Sequence, residues 1–244
     1  MGMGPGQWSF TASQKGYLPS RLNLEVSTLQ SNPSLDLVLK KATTAEILGG
    51  DEEIRGLLLE GEQNFNQGKY DEALKAYQQL LAENPSVYQF HVNIGSCYLE
   101  MGEYDKAIAE YQQFLDKEPD ASPVLAKMGE TYVKKGDFDQ AVAYFEKVIA
   151  LSPDDEITYY NIAEIYFNSG DVDKAIEYYQ KAVDINPDWS RGHLKLGYAF
   201  LNKGENDKAL LHFEKFLKLE PESPDAPLVK ELISRIKGGS PLSR

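Results

Sequence analysis

A chain of 244 residues with 42% hydrophobic and 26% charged residues can bury a sizeable core and has the balance of an ordinary globular protein. No apolar stretch approaches the roughly 18 residues that a membrane-spanning helix requires. The net charge of -13 repels phosphate backbones and anionic lipid surfaces, which argues against nucleic-acid and membrane-surface partners.

The charge is uneven. Residues 1–50 set Lys15, Arg21, Lys40 and Lys41 against Glu25, Asp36 and Glu46, so the remainder carries -14. Cys97 is the only cysteine, which excludes an intrachain disulfide and a cysteine-based metal site. Within a helical pattern it reads as a small core hydrophobe. Met1–Phe10 has neither the basic nor the apolar region of a signal peptide.

Three segments near the N-terminus alternate with period two, as half-buried strands do. They are Trp8, Phe10, Ala12; Leu22, Leu24, Val26; and Leu35, Leu37, Leu39, separated by turn-forming residues such as Lys15-Gly16 and Asn32-Pro33. Gly6, Trp8, Phe10, Ala12, Gly16 and Tyr17 resemble the closing half of a carboxypeptidase regulatory-like β-sandwich. The earlier strands of such a domain are missing, so the expectation is that Met1 is not the natural start. The alternative is a small β-meander that caps the first helix beyond residue 50. Residues 1–41 form this β segment, and 42–50, ending in Gly49-Gly50, form a linker.

From Ile54 to Pro221 one unit is written five times. Pro85, Pro119, Pro153, Pro187 and Pro221 stand 34 residues apart. The same step separates Gly68, Gly102, Gly136, Gly170 and Gly204, and also Ala73, Ala107, Ala141, Ala175 and Ala209. A fixed period in this range marks a repeat array. Each unit resolves into helix A and helix B. Helix A carries apolar residues at unit positions 4, 7 and 11, as at Tyr159, Ile162 and Tyr166. Glycine at position 15 suits a left-handed residue ending helix A. Aspartate at position 18, from Asp71 to Asp207, reads as an acceptor for free amides at the start of helix B. Proline stops helix B. Small residues at position 8 (Gly61, Gly95, Gly129, Ala163, Gly197) and alanine at position 20 predict close A–B approach, with the position-24 aromatics (Tyr77, Tyr111, Phe145, Tyr179, Phe213) filling the next layer.

This pattern resembles the tetratricopeptide repeat. The resemblance implies a mainly α fold, a right-handed superhelical α-solenoid preceded by the short β segment. Repeats are expected at 54–87, 88–121, 122–155, 156–189 and 190–223 within a domain at 51–237. Val229, Leu232, Ile233 and Ile236 give residues 225–237 one apolar stripe, expected to cap the last hairpin. A disordered tail is expected at 238–244.

Nothing converges on catalysis, a cofactor or a metal. His91 and His193 share unit position 4 three repeats apart, and His212 stands alone on helix B. Paired carboxylates such as Asp154-Asp155 sit at helix starts, where capping explains them. In this family the A helices line the concave face, so their exposed positions imply a groove for a protein or peptide. These residues are Asn93, Ser96, Lys127, Glu130, Lys134, Tyr160, Asn161, Glu164, Asn168, Arg191, Leu194, Lys195 and Tyr198. Amides and rigid aromatics suit a peptide. Some relatives clamp a C-terminal carboxylate; here Asn161, Arg191 and Lys195 fill the last three clamp positions, but Ala126 and Glu130 occupy the first two and break it. The expected function is therefore a non-enzymatic interaction scaffold; the alternatives are a structural self-assembling adaptor, with weak homo-oligomers, or the interaction module of a larger secreted or periplasmic multidomain protein. The sandwich resemblance implies an extracytoplasmic location; without it a cytoplasmic one stands.

Overall fold

The computed structural model describes residues 6–12, 20–26 and 52–238. It divides into two compact units, 1–114 and 115–244. In the first, β1 (Gly6–Ala12) pairs antiparallel with β2 (Ser20–Val26), with Trp8 opposite Leu24 and Phe10 opposite Leu22. The third expected strand at Leu35–Leu39, the linker 42–50 and residues 239–244 of the tail lie outside the described residues, and the sandwich resemblance with them.

The first unit continues with α1 (Glu52–Asn66), α2 (Tyr70–Glu83), α3 (Phe90–Glu100) and α4 (Tyr104–Leu115), whose last residue opens the second unit. The second unit holds α5 (Ser122–Lys135), α6 (Phe138–Leu151), α7 (Glu156–Asn168), α8 (Val172–Ile185), α9 (Ser190–Lys203), α10 (Asn206–Leu219) and α11 (Ala226–Lys237). Consecutive helices pair as A–B hairpins, one per 34-residue unit. Most B helices end two residues before the repeat proline, but α4 stops at Leu115, four before Pro119.

Local chemistry sets the joints. All five position-15 glycines have φ between 74° and 85°, the left-handed region that a Cβ disfavours, and each turns helix A into helix B. The capping expectation moves by two residues. Asp71, Asp139, Asp173 and Asp207 lie inside the first turn of helix B, where they favour the positive end of its dipole. In the third and fourth repeats the cap sits at position 16: Asp137 accepts from the Gln140 amide at 3.3 Å, and Asp171 from the Lys174 amide at 3.2 Å, whereas Lys69 and Glu205 at the same place make no side-chain cap. Asp155 caps α7 likewise, accepting from the Ile157 amide at 3.2 Å. Removing the cap with Asp171→Ala should cost about 1 kcal/mol, read as a shift in the urea midpoint.

The position-20 alanines are all 0% exposed. The position-24 rings reach the next layer, where Phe145 clusters with Ile162 and Ile165 of α7 and Tyr77 with Phe90 and Ile94 of α3. They also press onto position 8 of their own hairpin: a Cβ placed on Gly95 or Gly129 would lie 2.6 Å from Tyr111 or Phe145. Helix α11 covers the last hairpin by burying Val229 and Ala226, and Lys237 pairs with Glu214 of α10 at 2.7 Å.

Candidate functional site

Helices α5, α7 and α9 supply most of the residues the sequence singles out, and the structure sorts these into groups. Glu130 and Lys134 of α5 with Asn161, Glu164 and Asn168 of α7 line one cavity of about 270 Å³. Its floor is apolar, built by Val133, Phe145 and Ile165, and exposed Phe138 adds a ring at its mouth. Arg191, Leu194, Lys195 and Tyr198 of α9 line a second, larger cavity of about 640 Å³, together with Trp189 and Phe216. Lys127 and Tyr160 line neither. Asn93 and Ser96 belong to the first unit, where the Ser96 hydroxyl donates to the Val92 carbonyl at 2.9 Å and lies 3.2 Å from the Tyr111 hydroxyl.

Two residues expected on the exposed face are buried. Tyr160 is 5% exposed because the Tyr179 and Trp189 rings pack on it at 5.6 and 5.1 Å between centroids, and Leu194 is 7% exposed within the same core. Position 5 thus turns inward at Tyr160 and Leu194, as it does at Leu58 of the first repeat, which is 7% exposed. Arg191 lies over the Tyr160 ring at 5.1 Å, a cation–π contact.

Among these residues Glu164 and Lys195 form an ion pair. The Tyr179 hydroxyl donates to Glu164 Oε1, and Lys195 Nζ donates to Glu164 Oε2 at 2.9 Å. Burial, reinforced by that hydrogen bond, pushes the Tyr179 hydroxyl far up. At Lys195 burial opposes the charge, but Glu164 outweighs it and the pKa rises. An ammonium held by Glu164 is no open clamp for a carboxylate, and Glu130 sets a second negative charge on the cavity that Glu164 lines. Glu130 is exposed and enters no ion pair among the described residues, whereas Lys134 has an interaction of its own.

The histidines need one correction. His212 does not stand alone: its Nδ1 lies 3.0 Å from Nδ1 of His193, and the two rings stack 5.3 Å apart. His193 Nε2 lies 2.9 Å from the Pro187 carbonyl. That oxygen only accepts, so His193 donates from Nε2, and with both rings neutral its Nδ1 accepts from the His212 Nδ1–H. Burial, with His193 beside it, lowers the His212 pKa from 6.5 to about 4. Positions 4 and 23 face one another in other hairpins too: His91 meets Glu110 at 2.6 Å, and the Tyr159 and Tyr178 rings lie 6.4 Å apart. The sequence holds that signal once the two positions are read as partners. Cys97 is buried in the first unit's core, and desolvation raises its thiol to about 12, as suits a packing residue. No described helix is long and apolar enough to cross a membrane.

Sequence reading finds the polar rim of the smaller cavity and misses its apolar lining. Val133, Phe138 and Ile165 carry no signal beyond ordinary apolar periodicity. Phe138 is nevertheless 44% exposed at helix-start position 17, which sets it apart from the buried core residues.

Models of the tetratricopeptide repeat match residues 58–122, 127–188 and 192–223. Among solved structures, a crystal structure of MamA is 26% identical, with a TM-score of 0.60, over 66% of this chain and 95% of that one. MamA from Desulfovibrio magneticus RS-1 is 24% identical, with a TM-score of 0.63, over 72% and 98%. A thermophilic TPR protein of Thermus thermophilus shares the fold at 21% identity and a TM-score of 0.54, over 74% and 99%. No curated protein matches the chain. The 34-residue period, the left-handed glycine between paired helices, the glycine–aromatic contact and the matched family models agree: this chain is a tetratricopeptide-repeat protein, built on a fold typical of protein–protein interaction scaffolds.

Proposed function

We propose that the chain is a non-enzymatic scaffold that binds an extended or helical protein segment along the A helices of its second unit. One observation carries this reading. The cavity between α5 and α7 has an apolar floor under a rim of amides and charges, the composition of a site that seats one side chain while hydrogen-bonding the neighbouring backbone. Asn161 and Asn168 lie about two helical turns apart on α7, and both reach the rim. Asparagine at such places can donate to a peptide carbonyl and accept from a peptide amide at once.

The test uses peptides selected from a random display library against the full chain. Asn161→Ala combined with Asn168→Ala removes two partners, each worth about 0.5–1.5 kcal/mol, and should weaken the selected peptides about tenfold. Helical content by circular dichroism should not change, because neither side chain supports the core. Equal affinity for the double variant and the parent would sink the groove assignment.

A further inference from the structure

The cavity between α5 and α7 also has a chemical preference, one that rests on the groove reading above. We infer that it takes a basic side chain of the partner, an arginine or a lysine. Glu130 reaches the rim from α5 and Glu164 from α7, so carboxylates stand on two of the helices that frame one opening, and the cation that also lines it, Lys134, already has an interaction of its own. Glu164 is held in place by Tyr179 and Lys195. Glu130 is exposed and enters no ion pair among the described residues, so it is the rim carboxylate left to meet a ligand.

The floor explains why a long cationic side chain fits better than a purely apolar one. Val133, Phe145 and Ile165 offer apolar surface for a methylene stem, and exposed Phe138 offers a ring face at the mouth. A volume of about 270 Å³ equals the liquid share of about nine waters, the scale of one long side chain. An aliphatic residue would cover the floor but leave Glu130 beside dry surface without a partner. An acidic residue would meet Glu130 directly. A guanidinium can bond a carboxylate through two donors while its stem stays on the floor. The net charge of -13 draws a basic segment toward the chain at long range.

Peptides selected from a random twelve-residue display library against the full chain should share an arginine or lysine. Replacing that arginine by citrulline, its neutral counterpart, should lower affinity at least tenfold. Glu130→Gln should lower the affinity of the arginine peptide by a similar factor, and citrulline should then have little further effect. Glu130→Lys should shift selection away from basic sequences. Citrulline peptides that bind as tightly as arginine ones, or a Glu130→Gln variant that binds both as the parent does, overturn the inference. In that case a tenfold loss with Asn161→Ala plus Asn168→Ala would show that the groove reading stands and only the basic preference fails. Indifference to every one of these changes would remove both.

Discussion

Phe213→Ala should destabilise the second unit by about 3–5 kcal/mol, the range for deleting a buried phenylalanine ring. Phe213 is fully buried, packs edge-on against Tyr198 at 5.3 Å between centroids, and lies against Gly197, where an added Cβ would run into the ring. The ring and the missing side chain therefore occupy one slot. Leu211→Ala on the same helix, at a site 64% exposed, should change stability by less than about 0.5 kcal/mol. The slot gives a sharper check through a double variant. Gly197→Leu alone should overpack and cost about 1–3 kcal/mol. On the Phe213→Ala background it should recover part of the loss, because the new side chain enters vacated space. Urea unfolding of the four proteins measures this coupling, and simple additivity would contradict the shared slot.

Acidification should act through His212. Its pKa is about 4 in the folded chain and 6.5 for the unconstrained ring, so between these values the unfolded chain binds more protons. The ring's contribution is complete above about pH 6.5 and is lost as the pH falls toward 4. At about 1.36 kcal/mol per pH unit, the fall from pH 7 to pH 5 removes about 2 kcal/mol, and the whole window at most about 3.4. His212→Phe should flatten this dependence, since the two preceding units place Tyr144 and Tyr178 at the same slot. Carboxylates with lowered pKa values, Asp188 beside Lys215 and Glu205 between Lys203 and Lys208, lose their contribution at lower pH than the histidine does. Unfolding midpoints at pH 7, 6 and 5 for the two proteins separate the effects. Parallel curves would mean that the buried pair does not set the slope.

Much of the fold is legible in the sequence because its determinants are local and repeated. Gly136 and Gly204 announce a left-handed turn wherever they fall in the period, and the prolines announce where helix B must stop. The caps at Asp137 and Asp171 read two residues late because aspartate also recurs at position 18, and a sequence column does not say which carboxylate reaches a free amide. The direction of the position-24 ring is hidden for a related reason. Small residues at position 8 signal proximity, but only coordinates show that the Gly129 gap receives Phe145 rather than a neighbouring backbone. The site is legible on its polar rim and illegible beneath it. Asn161 and Glu130 stand out as exposed non-apolar residues at helix-face positions. Val133 and Ile165 look like any core residue until a gap opens above them. Periodicity puts Tyr160 and Leu194 outside because it gives a face and not the reach of surrounding rings such as Tyr179 and Trp189.

The contact between the position-8 residue and the position-24 ring lies wholly within one hairpin, and that has a consequence for how such a chain can change in length. Gly61 with Tyr77, Gly95 with Tyr111, Gly129 with Phe145 and Gly197 with Phe213 each travel together inside a single 34-residue block. Copying or deleting a whole block therefore never separates a ring from the space made for it. An insertion that begins in the middle of a unit would strand one of the two. Growth by complete units is the form of change this packing tolerates, and the interior positions of each copy can stay fixed while the exposed face of its A helix is rewritten for another client.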